Sequence, residues 1–193
     1  MGQATKGANS VTTTNTSTSS QAYAIDPAHT TVEFVVRHMM IAKVRGRFTS
    51  VKGTIDVPAG SNIPSAVDVT VDAASIDTRE EQRDGHLKSA DFFDVEKYPQ
   101  ITFRSTAIEG SGDAFTVRGD LSIHGVTREI ALDTTFEGRG SDPWGNERIG
   151  YEAHGKISRK DFGLNWNQAL EAGGVLVGDE IKIEISAEAI AQK

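Results

Sequence analysis

The chain has 193 residues, 37% of them hydrophobic and 24% charged, with a formal net charge of −7 and no cysteine. This is enough for one domain with a sizeable core. The acidic balance excludes a phosphate-backbone binder, and the missing thiols exclude disulfides, thiolate metal sites and cysteine nucleophiles.

Met1 to Gln21 is rich in Ser, Thr, Asn and Gly. A segment with so little to bury is expected to be a disordered tail over residues 1–21, leaving one domain over 22–193. The tail has no apolar core of a secretory leader, so the sequence as it stands predicts a cytoplasmic protein, and a periplasmic or secreted one if a leader has been removed. No apolar run approaches the ~20 residues of a membrane-spanning helix.

From Tyr23 onward apolar residues alternate with polar ones, the pattern of half-buried antiparallel strands. Val32, Phe34 and Val36 alternate with Glu33 and Arg37, and Val67, Val69 and Val71 with Asp68, Thr70 and Asp72. Between these runs, Arg47–Val57 changes parity between Phe48 and Val51, which predicts a bulge or bend. Ile101 and Phe103 face one way before the contrast fades toward Ile108. Phe115, Val117, Leu121 and Ile123 share a face, as do Ile130, Leu132 and Phe136, then Ile149, Tyr151 and Ile157, then Ile181, Ile183 and Ile185. About eight long strands joined by short glycine-containing links such as Gly110–Asp113 and His124-Gly125 predict an all-β, up-and-down barrel.

One short helix is expected between Thr78 and Leu87, with Thr78 and Glu81 as a capping box. It opens the stretch Arg83–Phe103, which combines charges with a Phe-Phe pair and reads as a lid over something apolar. An eight-stranded barrel is either filled by its own side chains or holds one small ligand. Large aromatics outside the strands, Phe92, Phe93, Phe162 and Trp166, favour an apolar lumen closed off from water. The expected lining is Phe34, Val36, Phe48, Val69 and Phe103, continued by Phe115, Leu121, Phe136, Tyr151 and Ile183.

His38 shares the lumen-facing parity of Phe34 and is a candidate head-group contact or a core histidine. His86 is a ligand contact or a packed cap. Arg83 is expected to bridge a carboxylate that pins the lid, His124 to serve its own turn, and Arg159 with Asp161 to fix a loop plugging one end. A second reading is a metal-dependent enzyme with His38, His86 and His124 gathered at one barrel mouth. A third is a filled-core stress or interaction protein. No G-x-S-x-G elbow, H-E-x-x-H or phosphate-binding glycine loop occurs, so no catalytic residue is assigned, and a binding protein rather than an enzyme is expected.

Ile25-Asp26-Pro27-Ala28-His29-Thr30 with Val32, Phe34, Arg37 and His38 resembles the opening signature of the YceI-like family. The likeness runs on through Gly46-Arg47-Phe48, Ser75-Ile76-Asp77-Thr78, the Arg83–Phe103 segment, Gly119–Thr127, Ser158–Gly163 and Val177-Gly178-Asp179. Ser122 stands where relatives commonly have threonine, which keeps the hydroxyl. The resemblance implies an extended, lipocalin-like antiparallel β-barrel that carries or stores a polyisoprenoid or other long-chain amphiphile, such as an isoprenoid quinone or fatty-acid derivative. It implies no cofactor and no metal beyond that bound lipid, and leaves a homodimer open.

Overall fold

Each alternating run becomes a strand whose apolar face turns inward. The structure, a computed structural model, describes residues 19–171 and 173–193. Among these the strands are β1 (Ser20–Ile25), β2 (Thr31–His38), β3 (Ala42–Phe48), β4 (Val51–Pro58), β5 (Ala66–Asp72), β6 (Ile76–Asp77), β7 (Gln100–Ser111), β8 (Ala114–Ile123), β9 (Val126–Ser141), β10 (Glu147–Ser158) and β11 (Val177–Ala191), with one α-helix, α1 (Glu81–Lys88). Residues 1–18, the bulk of the expected tail, lie outside the described residues. Ser20 and Gln21 belong to β1, where they pair with Pro58 and Val57.

The strands close in the order β1-β4-β5-β7-β8-β9-β10-β11 and back to β1, all antiparallel, giving an eight-stranded barrel. The edge of β11 serves two partners. Its last residues, Ala189 to Ala191, pair with β1, while Val177 to Ser186 pair with β2. The β2–β3 hairpin therefore extends the wall at one end, and β6 adds two residues beside β3.

The parity change in Arg47–Val57 is a bend. Thr49 and Ser50 separate β3 from β4, so Phe48 and Val51 both keep their side chains on the inside. The lost contrast after Phe103 is a bulge, with the β7–β8 register shifting between Ser105 and Ala107. The His124-Gly125 turn has positive φ at both residues, 52° and 74°, as a two-residue hairpin loop requires.

Helix α1 starts later than the capping-box pattern indicated. Glu80 is the cap, its carboxylate accepting from the Gln82 and Arg83 amides at 3.1 and 2.6 Å. Thr78 instead anchors the helix from outside: its amide and hydroxyl donate to Asp84 Oδ1 at 2.9 and 2.5 Å. Arg83 donates to the Thr78 hydroxyl and carbonyl at 2.7 and 2.9 Å. Arg83 thus pins the helix as expected, through Thr78 rather than through a carboxylate. The left-handed turn at Arg79, φ 63°, separates Thr78 from the helix start.

Candidate ligand-binding cavity

The barrel is not filled. A cavity of about 250 Å³ runs along its inside, far above the ~10–15 Å³ that admits one water. Its wall is built mainly from the inward parity of every strand but β6. Eleven expected lining or closure residues lie on it: Phe34, Val36, Phe48 and Val69; Phe103, Phe115, Leu121 and Tyr151; and Ile183, Phe92 and Phe93.

One end is closed by the segment after α1. The helix itself buries no residue and contributes only Leu87 to the cavity. The turns that follow carry the closure. Phe93 N donates to Leu87 O at 3.0 Å and Val95 N to Lys88 O at 3.1 Å, folding the chain back so that Phe92 and Phe93 point inward. Phe93 meets Phe48 edge-on with ring centroids 5.8 Å apart. Trp166 packs outside Phe92 at 5.3 Å, and His86 stands edge-on to both rings, at 5.1 Å from Phe92 and 4.6 Å from Trp166. His86 Nε2 also lies 2.9 Å from Asp91 Oδ2. Trp166 and His86 are the outer layer of this cap and not part of the cavity wall.

The second piece of the same end hangs on Arg159, which is 3% exposed. Its guanidinium donates to the carbonyls of Leu164 at 2.5 Å, Trp166 at 2.9 Å and Gly178 at 3.0 Å, and lies 3.4 Å from Asp179. Burial holds its pKa below the usual arginine value, while Asp179 opposes that shift. The carbonyls it gathers hold Leu164 against the cavity and Phe162, 1% exposed, in the core beside it. Arg159 and Leu164 were not expected on the wall. Arg159 does fix the loop at this end, as expected, but alternation cannot reveal that a charged side chain is buried because it serves main-chain carbonyls.

The opposite end is closed by the loop between β4 and β5. Pro64 is buried on the cavity wall and Ile63 packs on the core. The Tyr151 hydroxyl donates to Asn62 O at 2.9 Å, and Arg139 donates to Ser61 O at 2.9 Å. Burial pushes the Tyr151 phenol up to about 12, so it stays a donor. Phe136 faces inward but packs on Tyr151, centroids 5.5 Å apart, at the strand end where the β9–β10 register shifts. That position lies past the cavity wall.

His38 is also off the wall, at the last position of β2, where β11 has slipped register between Val177 and Ile181. His124 stacks on Tyr98 at 4.8 Å. The gathering of His38, His86 and His124 does not form. Among the described residues the one group within metal reach is Asp26, His29 and Glu188. A guanidinium already neutralises it: Arg148 lies 2.8 Å from Asp26 Oδ2 and 3.0 Å from Asp142 Oδ2, and also bonds Glu188. Arg148, with help from His29, holds the Asp26 carboxyl down at about 2.

Apart from Glu33, which belongs to the outward parity of β2 and stands 4.0 Å from Arg45, the polar side chains on the wall are occupied by the protein. The hydroxyls of Thr30 and Thr134 donate to Glu188 O and Leu132 O, each at 3.2 Å. Tyr151 and Arg159 are bonded as described. The lumen therefore offers contact to hydrocarbon and almost no partner to a polar group.

The family model of the YceI-like domain matches residues 23–189. Protein YceI of Escherichia coli O157:H7 is 37% identical over 165 residues, spanning 86% of this chain and 83% of its own length. Among solved structures, Burkholderia cenocepacia BcnA superposes with a TM-score of 0.73 at 23% identity, over 86% of this chain and 99% of its own. A polyisoprenoid binding domain from Saccharophagus degradans, implicated in plant cell wall breakdown, superposes with a TM-score of 0.64 at 18% identity, over 89% and 99%.

Proposed function

The chain belongs to the YceI-like family, and we propose that its barrel holds the hydrocarbon tail of a long-chain amphiphile, a polyisoprenoid foremost, as a carrier or store. The observation that carries this reading is the apolar cavity of about 250 Å³. At ~24 cal/mol per Å³, a void of that size forfeits about 6 kcal/mol relative to a filled interior. That rivals the whole stability of many domains, roughly 5–15 kcal/mol. Water entering it would find almost no hydrogen-bond partner. A hydrocarbon tail recovers the lost contacts and needs none.

The fold shared with the Saccharophagus degradans polyisoprenoid binding domain agrees with this. So does a wall whose Thr30, Thr134, Tyr151 and Arg159 side chains are all engaged by the protein, which suits binding better than bond-making chemistry. The reading needs no cofactor. Each buried CH₂ contributes about 0.8 kcal/mol, so affinity rises with tail length and levels off when the lumen is full. Discrimination between prenyl and straight acyl tails is modest, because apolar pockets separate single methylenes weakly.

Organic extraction of the purified protein followed by mass spectrometry tests the reading. A long-chain amphiphile is expected, and its removal should lower the melting temperature. A protein that releases no amphiphile and melts identically before and after extraction overturns it.

A further inference from the structure

The β2–β3 hairpin ends in three exposed apolar residues, Met39, Met40 and Ile41, with relative exposures of 40%, 54% and 83%. Both methionines sit at positive φ, 50° and 61°. Hairpin stability alone would place Asn, Asp or Gly at such positions. Directly behind the tip, Arg37 and Lys43 are cross-strand partners, both exposed, with no ion-pair partner among the described residues. Like charges placed directly opposite destabilise a strand pair. Two unfavourable choices therefore stand side by side. In a chain of net charge −7, the stretch Phe34 to Ile55 holds five Lys or Arg and no Asp or Glu. Arg45 and Arg47 are tied to Glu184 and Asp77, which leaves Arg37 and Lys43 as the free charges nearest the tip.

We propose that this tip docks on an anionic lipid bilayer, Met39, Met40 and Ile41 entering the interface while Arg37 and Lys43 meet the headgroups. Apolar tips flanked by basic side chains bind such surfaces through both effects. A two-fold contact between copies through the same tip would instead set the cationic pair against itself. The place is apt as well. Val36 and Val177, beside the tip, line the cavity, and Met39 N donates to Leu176 O at 2.8 Å. Asn167, next to Trp166, bonds Val177, which pairs with His38 at the base of the tip, so docking brings the Trp166 side of the closure toward the membrane. That last consequence, passage of a tail between lumen and bilayer, rests on the carrier reading; the docking does not.

Co-sedimentation of the full chain with phosphatidylcholine vesicles, with and without phosphatidylglycerol, tests the proposal. Binding is expected only with phosphatidylglycerol, weakening as salt screens the headgroups. Ile41→Asp should abolish it, and Arg37→Gln with Lys43→Gln should lower partitioning about 30-fold, or about fivefold for each cation. Equal binding to both vesicle types, or binding indifferent to these variants, overturns the proposal. So does a concentration-dependent dimer, seen by light scattering, that Ile41→Asp dissolves. Extraction and mass spectrometry on the same preparations separate the two readings. A variant that keeps its amphiphile but leaves the vesicles supports docking by this tip. Wild-type protein that releases no amphiphile, melts identically before and after extraction and still binds vesicles supports docking and overturns carriage.

Discussion

The Phe34 ring occupies the space above Gly46, its cross-strand partner: a Cβ placed on Gly46 would stand 2.3 Å from Phe34 Cζ. The missing side chain lets the ring lie against the wall instead of across the lumen. Gly46→Ala should therefore push Phe34 inward, costing about 1–3 kcal/mol of stability and shortening the tails retained. Denaturant titration and mass spectrometry of the extract read the two effects. A variant with wild-type stability and cargo would show that the ring has another place to go.

Phe93→Ser should speed release of a bound tail with a smaller loss of stability than a wall substitution. Phe93 is only half-buried and closes the end through its contact with Phe48. Phe103→Asp, by contrast, puts a charge among buried strand residues and should lose both retention and folding. Release of a fluorescent fatty acid measured by stopped flow distinguishes them; an unchanged release rate in Phe93→Ser counts against the closure assigned to it.

Arg159→Met should strip a donor from the carbonyls of Leu164, Trp166, Val177 and Gly178, the first of them buried. Each carbonyl left unpaired costs about 1–3 kcal/mol, so a loss of about 3 kcal/mol or more is expected. Hydrogen exchange should rise first over residues 163–167, ahead of the strands. Uniform exchange across the barrel would mean that the loop is held by something else.

Asp26 contributes to the acid limb of stability, as do Asp142 and Asp77, whose carboxyls are also held below the usual range by their hydrogen bonds. Arg148 holds its carboxyl at about 2, below the ordinary value near ~3.9. A depressed carboxylate stabilises the fold fully above the ordinary value, and that contribution fades as pH falls toward 2. Arg148→Met should raise the Asp26 pKa, move the acid-unfolding midpoint upward, and lower the melting temperature at neutral pH. NMR titration of Asp26 follows the first change; a pKa still near 2 without Arg148 would remove it as the cause.

The wall was legible because alternation is a local property. Val67, Val69 and Val71, or Ile181, Ile183 and Ile185, declare their inward face without reference to anything distant, and all six line the cavity. The bend at Thr49-Ser50 and the bulge after Ser105 showed as breaks in the same rhythm. The ends were harder to read. Pro64 closes one of them from a loop whose composition signals only a turn, and Arg159, expected to fix the loop at the other end, does so from a buried place on the wall itself that its charge does not announce. Phe136 and His38 share the inward parity but lie where register shifts carry their strands past the lumen. Parity says which way a side chain faces, not how far along the axis the space extends.

Packed side chains stand at both ends of the lumen, Phe92 and Phe93 at one and Pro64 at the other. On the carrier reading, cargo leaves slowly during purification, and exchange waits on these residues moving aside. The molecule that copurifies is then a souvenir of the producing cell, reporting local abundance as much as preference. Preparing the protein in two hosts with different prenyl-alcohol and quinone inventories, then competing one cargo against the other, would tell abundance apart from taste.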